Sequence, residues 1–576
     1  MRSRTREYTA RARRLSMALR STTIVAVVAL GVAACAAGPR ATDRPAEDTS
    51  VRQASRVGIG IDMGGTRLFV DAAKTLRAWE YHDGSRIPIE LLDEHGWPMV
   101  DPRTVVFDER PIPAWAPPID DPDEYMADVS GTYAMRFTGQ AEVRNGQDAA
   151  GPQAEIRNIS YDATTNTTTG EIVLPPGRGL LILEFSRTRR TPESAEGSGI
   201  TDLRVIRPGY DPDTEQTIAT PVLTALTRSA FHSIRFMDYS HTNNRDHGYP
   251  NVTEWSDRKL PSDTTQNAWG TKRGGGAWEY AIEIANLTKT NPWFTLPVDA
   301  TDGYVRGLAE LVRDSLDPSL VVYVEHSNEV WNALFSQKLW NASAAVAEVR
   351  DDPDSDLDFG SPFDTSVWEV RRHMRRTVEI GAIFADVLGE RRIGDRVRPV
   401  FSWWVTRGFE YIDALEWLEA TRGPASDSVW GIGITAYFSS AAAGPSADVE
   451  EIMSVMVRDM ETGGRRTEQY RDIADRFGLR LAVYEGGTDT GQNARGPVAN
   501  RITAERDPRM GTLLYRSVTE QFLQKGGDLY MVFALAGRYS RYGSWGITDD
   551  IAVPDRNAKY SAVERAAIES ATGLRR

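Results

Sequence analysis

Residues 320–332 read LVVYVEHSNEVWN: a six-residue apolar β-type run ending at Glu325, with Asn328 and Glu329 just beyond it. Near-continuous apolar character is the mark of a strand buried on both faces, as in a parallel sheet. A carboxylate placed at the end of such a run is costly unless it has a partner or a task. The same grammar recurs at 480–487, where RLAVYEGG places Glu485 at the end of another buried run. Working outward, six more runs appear: VGIGI (57–61), FHSIRFM (231–237), WFTL (293–296), VRPVFSW (397–403), GIGITAY (431–437) and LYMVF (529–533).

Amphipathic stretches separate these eight runs. Apolar residues recur at spacings of three and four over 303–316, 367–389, 450–476 and 511–525, which predicts helices. Eight strands alternating with helices predict an α/β fold, a (β/α)8 TIM barrel. A doubly wound open sheet is the alternative; its phosphate-binding turn is approached only by Ile61-Asp62-Met63-Gly64-Gly65, which lacks the GxGxxG spacing.

The interval from Ile61 to Phe231 is too long for one strand–helix unit. Residues 70–79 are expected to form the first helix. Residues 131–208 alternate apolar with polar and are rich in Thr, Gly and Asn; 170–188 reads as two strands joined by a Pro-Gly turn. The expected organisation is a first strand and helix over 57–111, an inserted antiparallel β-sandwich over 112–208 and the rest of the barrel over 209–576. The sandwich either roofs the barrel or binds sugar.

Residues 1–20 carry seven Arg and one Glu, followed by an uncharged apolar run over 21–34 and then Cys35, the single cysteine of the chain. This predicts a signal peptide over 1–34 that is removed before Cys35, lipid attachment at Cys35, and a polar tether over 35–56. An exported protein anchored to a membrane of the bacterial cell envelope is expected. One cysteine excludes an internal disulfide framework and Cys-based metal sites. A net charge of −14 argues against nucleic acid as a partner. No metal or cofactor is expected; the acidic tract 351–364 lacks EF-hand spacing and reads as a solvated loop.

At the C-terminal face of a barrel, Glu329 and Glu485 lie at the ends of the fourth and seventh strands, where barrel active sites are built. Two carboxyl groups across that mouth suit glycoside cleavage: one donates a proton to the leaving oxygen, the other attacks. The pattern of Asn-Glu after strand four and Glu after strand seven resembles clan A of the retaining glycoside hydrolases. The stretches 323–332, 69–79, 234–244 and 542–550 also resemble exported bacterial proteins loosely described as cellulose-binding. The resemblance implies that Glu329 is the acid/base and Glu485 the nucleophile. It implies further that Arg235 sits beside the nucleophile, Asn328 bonds the sugar 2-hydroxyl, Tyr437 bonds the nucleophile and Trp545 floors the sugar ring.

The polar, aromatic loop 238–278 adds His241, Asn243, Trp255, Asp257 and Arg258 as candidate substrate contacts. The expected function is an exported, lipid-anchored glycosidase that cleaves β-linked poly- or oligosaccharide with retention. The alternatives are a carbohydrate-binding lipoprotein that keeps the barrel without catalysis, and a structural lipoprotein.

Overall fold

The computed structural model describes residues 56–572, apart from 62–65, 112–123, 147–152, 238, 240, 244–247, 268–273 and 492–497. The expected signal peptide, Cys35 and nearly all of the expected tether lie outside the described residues, as does part of the expected sandwich span.

All eight apolar runs are strands of one closed parallel barrel. They are β1 (Arg56–Gly60), β9 (Ser233–Phe236), β10 (Asn291–Leu296), β11 (Val322–His326), β12 (Val397–Ser402), β13 (Gly431–Ser439), β14 (Arg480–Asp489) and β15 (Leu529–Val532). Neighbours in the barrel are neighbours in that order. β15 closes on β1 in parallel, and β1 pairs in parallel with β9, with Ile59 opposite Ile234, despite the long interval between them.

Side chains alternate between two cores. Outward residues such as Ile234, Val324 and Val483 pack with the helix layer. Inward residues, including Trp293, Tyr323, Tyr484 and Met531, form a separate cluster that fills the barrel. Trp293 and Tyr323 stack there at 5.3 Å and 17°. The expected helices appear at Asp302–Ser315, Thr365–Leu388 and Val449–Arg476. The span 511–525 divides into a helix, Pro508–Thr519, and a 3-10 turn, Leu523–Lys525.

Among the described residues between β1 and β9 stand seven antiparallel strands in two sheets. β2 (Arg103–Asp108), β7 (Leu180–Arg189) and β4 (Gln140–Asn145) make the first, in the order β2-β7-β4. β5 (Glu155–Asp162), β6 (Thr167–Leu174), β3 (Gly131–Thr138) and β8 (Thr201–Ile206) make the second, in the order β5-β6-β3-β8. Their inner faces share one apolar core, in which Phe137 meets Phe185 edge-on at 5.5 Å.

Two expectations need correction. Residues 70–79 form only a 3-10 turn at Ala72–Thr75. Asp71 accepts from the N–H groups of Ala73 (3.0 Å) and Val205 (2.8 Å), while Ala72, Leu76 and Trp79 enter the sandwich core. Helical spacing there reflects packing against a sheet. Second, the sheets begin before residue 112, because β2 pairs with β7. The helix that follows β1 in the barrel is Thr220–Arg228. Residues 170–188 do form two strands joined by a Pro-Gly turn, β6 and β7, but the two are not partners. The Pro-Gly turn carries the chain from one sheet to the other, because each strand finds its mates elsewhere.

Candidate active site

Arg235 projects inward from β9 and is the hub of the barrel mouth. Its Nε donates to Glu325 Oε2 (2.9 Å), Nη1 to Glu485 Oε1 (2.7 Å) and Nη2 to Asn328 Oδ1 (2.9 Å). Arg235 and Glu325 are each 1% exposed, Asn328 2% and Glu485 5%. The guanidinium lies over aromatic faces, 5.1 Å from Tyr484 and 5.8 Å from Trp293. Burial opposes its charge, but Glu325 and Glu485 more than offset this and raise its pKa.

Glu485 reaches this hub by a departure from regular strand geometry. In β14, Leu481 and Val483 face the helices, whereas Ala482 and Tyr484 face the barrel interior. Strict alternation would send Glu485 outward. Instead the pairing slips: Ile434 lies opposite Val483, but Thr435 lies opposite Glu485. This bulge leaves Tyr484 unopposed and turns Glu485 inward as well. The close approach that follows requires Gly486, where a Cβ would come within 2.5 Å of the Tyr530 hydroxyl. The Tyr437 hydroxyl donates to Glu485 Oε2 at 3.2 Å. Burial and the nearby glutamates hold the Tyr437 pKa well above the ordinary value, so it remains a donor.

Glu329 stands on a strained turn. Its φ is +41°, and that of Ser327 is +62°. Left-handed backbone at a non-glycine residue costs about 1–3 kcal/mol and persists only where neighbours enforce it. Here the Ser327 N–H donates to Leu296 O (2.7 Å), and Gln337 Nε2 donates to Asn328 O (2.8 Å). Asn332 Nδ2 donates to Glu329 Oε2 at 2.8 Å. Burial, and secondarily the charge of Glu485, pushes the Glu329 pKa up to about 8; Asn332 and Arg235 pull the other way. Glu485 accepts from a cation and a hydroxyl, whereas Glu329 holds its proton at neutral pH.

A pH dependence follows. If Glu329 donates a proton, activity is present below its raised pKa and falls as pH rises through about 8. In Asn332→Ala, a donor that favours the ionised form is gone, so the alkaline limb of kcat/KM moves to higher pH. An unchanged or lowered limb would argue against Glu329 as the acid.

Asn243 joins the cluster, its Oδ1 accepting from Asn328 Nδ2 (3.3 Å) and Gln337 Nε2 (2.6 Å). His241 is buried against Gly274. Trp545 rests on Phe533 at 6.0 Å and 56°, beside the mouth. Trp255, Asp257 and Arg258 have partners within the loop and its neighbouring helices. Trp255 packs edge-on against Tyr304 of the helix Asp302–Ser315. Arg258 covers Trp255 at 4.1 Å and pairs with Glu279, and Asp257 completes a capping box with Glu254. Their polarity serves the loop's own fold.

Sequence reasoning missed four participants. Glu325 closes the quoted run, and its two-residue offset from inward-facing Tyr323 is the signal that could have found it. Asn332 lies three residues beyond Glu329. Trp331 and Trp404 stack at 5.4 Å and 8°, and Trp404 is 38% exposed. Trp331 Nε1 donates to the Tyr484 hydroxyl at 3.1 Å, tying this aromatic surface to the strand that carries Glu485. Among the described residues no group of His, Cys, Asp and Glu is arranged to hold a metal ion.

No family model and no curated protein matches the chain. Among solved structures it is similar to a GH51 arabinofuranosidase from Xanthomonas axonopodis pv. citri, at 13% identity and a TM-score of 0.35, covering 56% of this chain and 62% of that one. The chain therefore spans less than two thirds of that enzyme. It is also similar to an arabinose-bound GH51 α-L-arabinofuranosidase, at 10% identity and a TM-score of 0.42, covering 90% and 80%. A GH10 xylanase from Thermobacillus composti is similar at 11% identity and a TM-score of 0.30, covering 60% and 92%.

Proposed function

We propose that the protein is a retaining glycoside hydrolase that cleaves a β-linked poly- or oligosaccharide by double displacement. The observation that carries this reading is the unequal pair of carboxyl groups: Glu485 held by Arg235 and Tyr437, Glu329 enclosed with its pKa raised. Glu485 attacks the anomeric carbon while Glu329 protonates the leaving oxygen, forming a glycosyl-enzyme. Glu329, now a base, then takes a proton from water, which displaces Glu485. Asn328, fixed by Arg235 and Asn243, offers a hydrogen bond to the substrate, and the aromatic residues Trp404 and Trp545 offer ring faces. The test is a polysaccharide panel read by release of reducing ends, with the anomeric configuration of the first product followed by NMR. A product of inverted configuration would remove the double displacement. Cleavage of no glycan would leave the alternative of a carbohydrate-binding lipoprotein.

We propose further that the mature protein is exported and lipid-anchored at Cys35. The support is the order of a basic segment, an apolar segment and a single cysteine. Among the described residues no helix is long and apolar enough to cross a membrane. Wild type should fractionate with membranes, and Cys35→Ala should lose the lipid mass. An unmodified Cys35 in the wild-type protein would end the proposal.

A further inference from the structure

Beside the mouth lies a second cavity of about 440 Å³, within the range of sugar-sized sites. Phe533 and Trp545, in the segment that follows β15, form its barrel side. The sandwich region supplies the other side, including Arg77, Phe107 and Arg207. The cavity adjoins the glutamate site directly, because Phe533 N–H donates to the carbonyl of Gly486, next to Glu485, at 2.9 Å.

Four arginines line it: Arg67, Arg77, Arg207 and Arg538. The acids lining it are Asp108, Glu109 and Asp549, and two of these are claimed by cations outside the lining. Asp549 pairs with Arg506 (3.1 Å) and with Arg556. Asp108 is held in a fork by Arg110, at 2.9 Å from both Nε and Nη2, with Arg77 at 3.6 Å. Arg67 pairs with Asp550.

Arg207 and Arg538 differ from these. Arg207 Nε donates to Phe69 O at 2.9 Å, and its guanidinium lies 5.9 Å from the Phe107 ring. Arg538 Nη1 donates to the backbone carbonyls of Asp108 (3.0 Å) and Arg110 (2.6 Å). Among the described residues, no carboxylate lies within ion-pair distance of either one. Burial is the main influence against the charge of Arg207, joined by neighbouring Arg67, while Tyr133, Glu109 and Asp71 favour it through space. A guanidinium does not discharge in a protein, so a half-buried one with no carboxylate at ion-pair distance is suited to take an anion. The planar fork of arginine matches a carboxylate in particular.

We infer that this cavity is a subsite for a carboxylate-bearing sugar, a uronic acid unit of the glycan whose scissile bond lies at Glu329 and Glu485. The inference rests on the hydrolase reading for the position of that bond. Arg207 and Arg538 take the carboxylate, and Trp545 and Phe533 take the sugar ring. The inserted sandwich thereby contributes to substrate choice.

The experiment is calorimetric titration of the full chain carrying Glu485→Gln, so that nothing is consumed. The ligands are uronic-acid oligosaccharides, their carboxyl-reduced neutral counterparts and sulfated counterparts. The carboxylated ligands should bind about 10- to 100-fold more tightly than the reduced ones, the usual worth of bonds to a charged group. The gap should shrink in Arg207→Gln and in Arg538→Gln; the second variant decides the matter if the first fails to fold. Equal affinity for carboxylated and reduced ligands, or no binding of any uronic-acid ligand, overturns the subsite. A gap that persists in the folded variants does the same, as does a sulfated ligand that binds as tightly as the carboxylated one. Wild type is assayed in parallel for cleavage. Carboxylate preference without cleavage removes the hydrolase reading and keeps the subsite, whereas cleavage without preference does the reverse.

Discussion

Glu485→Ala should abolish turnover of every substrate, with a loss on the order of 10⁴- to 10⁶-fold, the scale seen when a covalent nucleophile is removed. No activated leaving group should restore it, because the missing event is the attack itself. The fold should survive. Removing one member of a buried ion pair is damaging chiefly when it strands the other charge. Here Arg235 keeps Glu325 and Asn328 at 2.9 Å each. A thermal melt of the variant, compared with wild type, separates lost chemistry from lost structure. A folded Glu485→Ala protein that retains a tenth of the activity would refute the assignment.

Glu329→Ala should behave differently, and the contrast is the more informative result. General acid/base assistance is worth typically 10²–10⁴-fold, so natural glycosides should turn over slower by about that factor. An aryl glycoside with a good leaving group needs little protonation, so it should still load Glu485. Release should then be slow, because no base remains to activate water. Azide needs no such base. Added azide should restore turnover and yield a glycosyl azide of retained configuration. The alkaline limb attributed to the raised Glu329 pKa should vanish in the same variant. If instead Glu485→Ala gives the retained azide product, the two roles are exchanged.

Both experiments bear on residues that were legible in the linear sequence, and the reason is physical. A parallel strand inside a barrel is buried on both faces, so it must be written in apolar residues, and a carboxylate at its end stands out. All eight strands, from Val57 to Phe533, obey that rule and form the barrel in the expected order. The sandwich was legible as a change of period but not in its limits. Strand β2 and the turn at Ala72–Thr75 carry apolar residues that suit either core, and nothing local says which core they enter. For the same reason the turn at Pro175–Gly177 signalled two strands without showing that they separate into different sheets.

The sequence by itself determined the barrel, the residue types at its mouth and the positions of Glu329 and Glu485 along the chain. Only the tertiary structure decided where their side chains point. Strand alternation alone would have turned Glu485 toward the helices. A one-residue slip against β13 turned it inward, and such a slip depends on what the neighbouring strand offers. The turn that carries Glu329, left-handed at Ser327 and at Glu329, is likewise held from outside, at Ser327 by Leu296 of β10 and at Asn328 by Gln337. The sharing of Arg235 by Glu325, Glu485 and Asn328 brings together strands up to 250 residues apart. Hydrogen bonds of that separation leave no trace in local pattern, because the chain pays the entropy of bringing them together only once the whole barrel has closed.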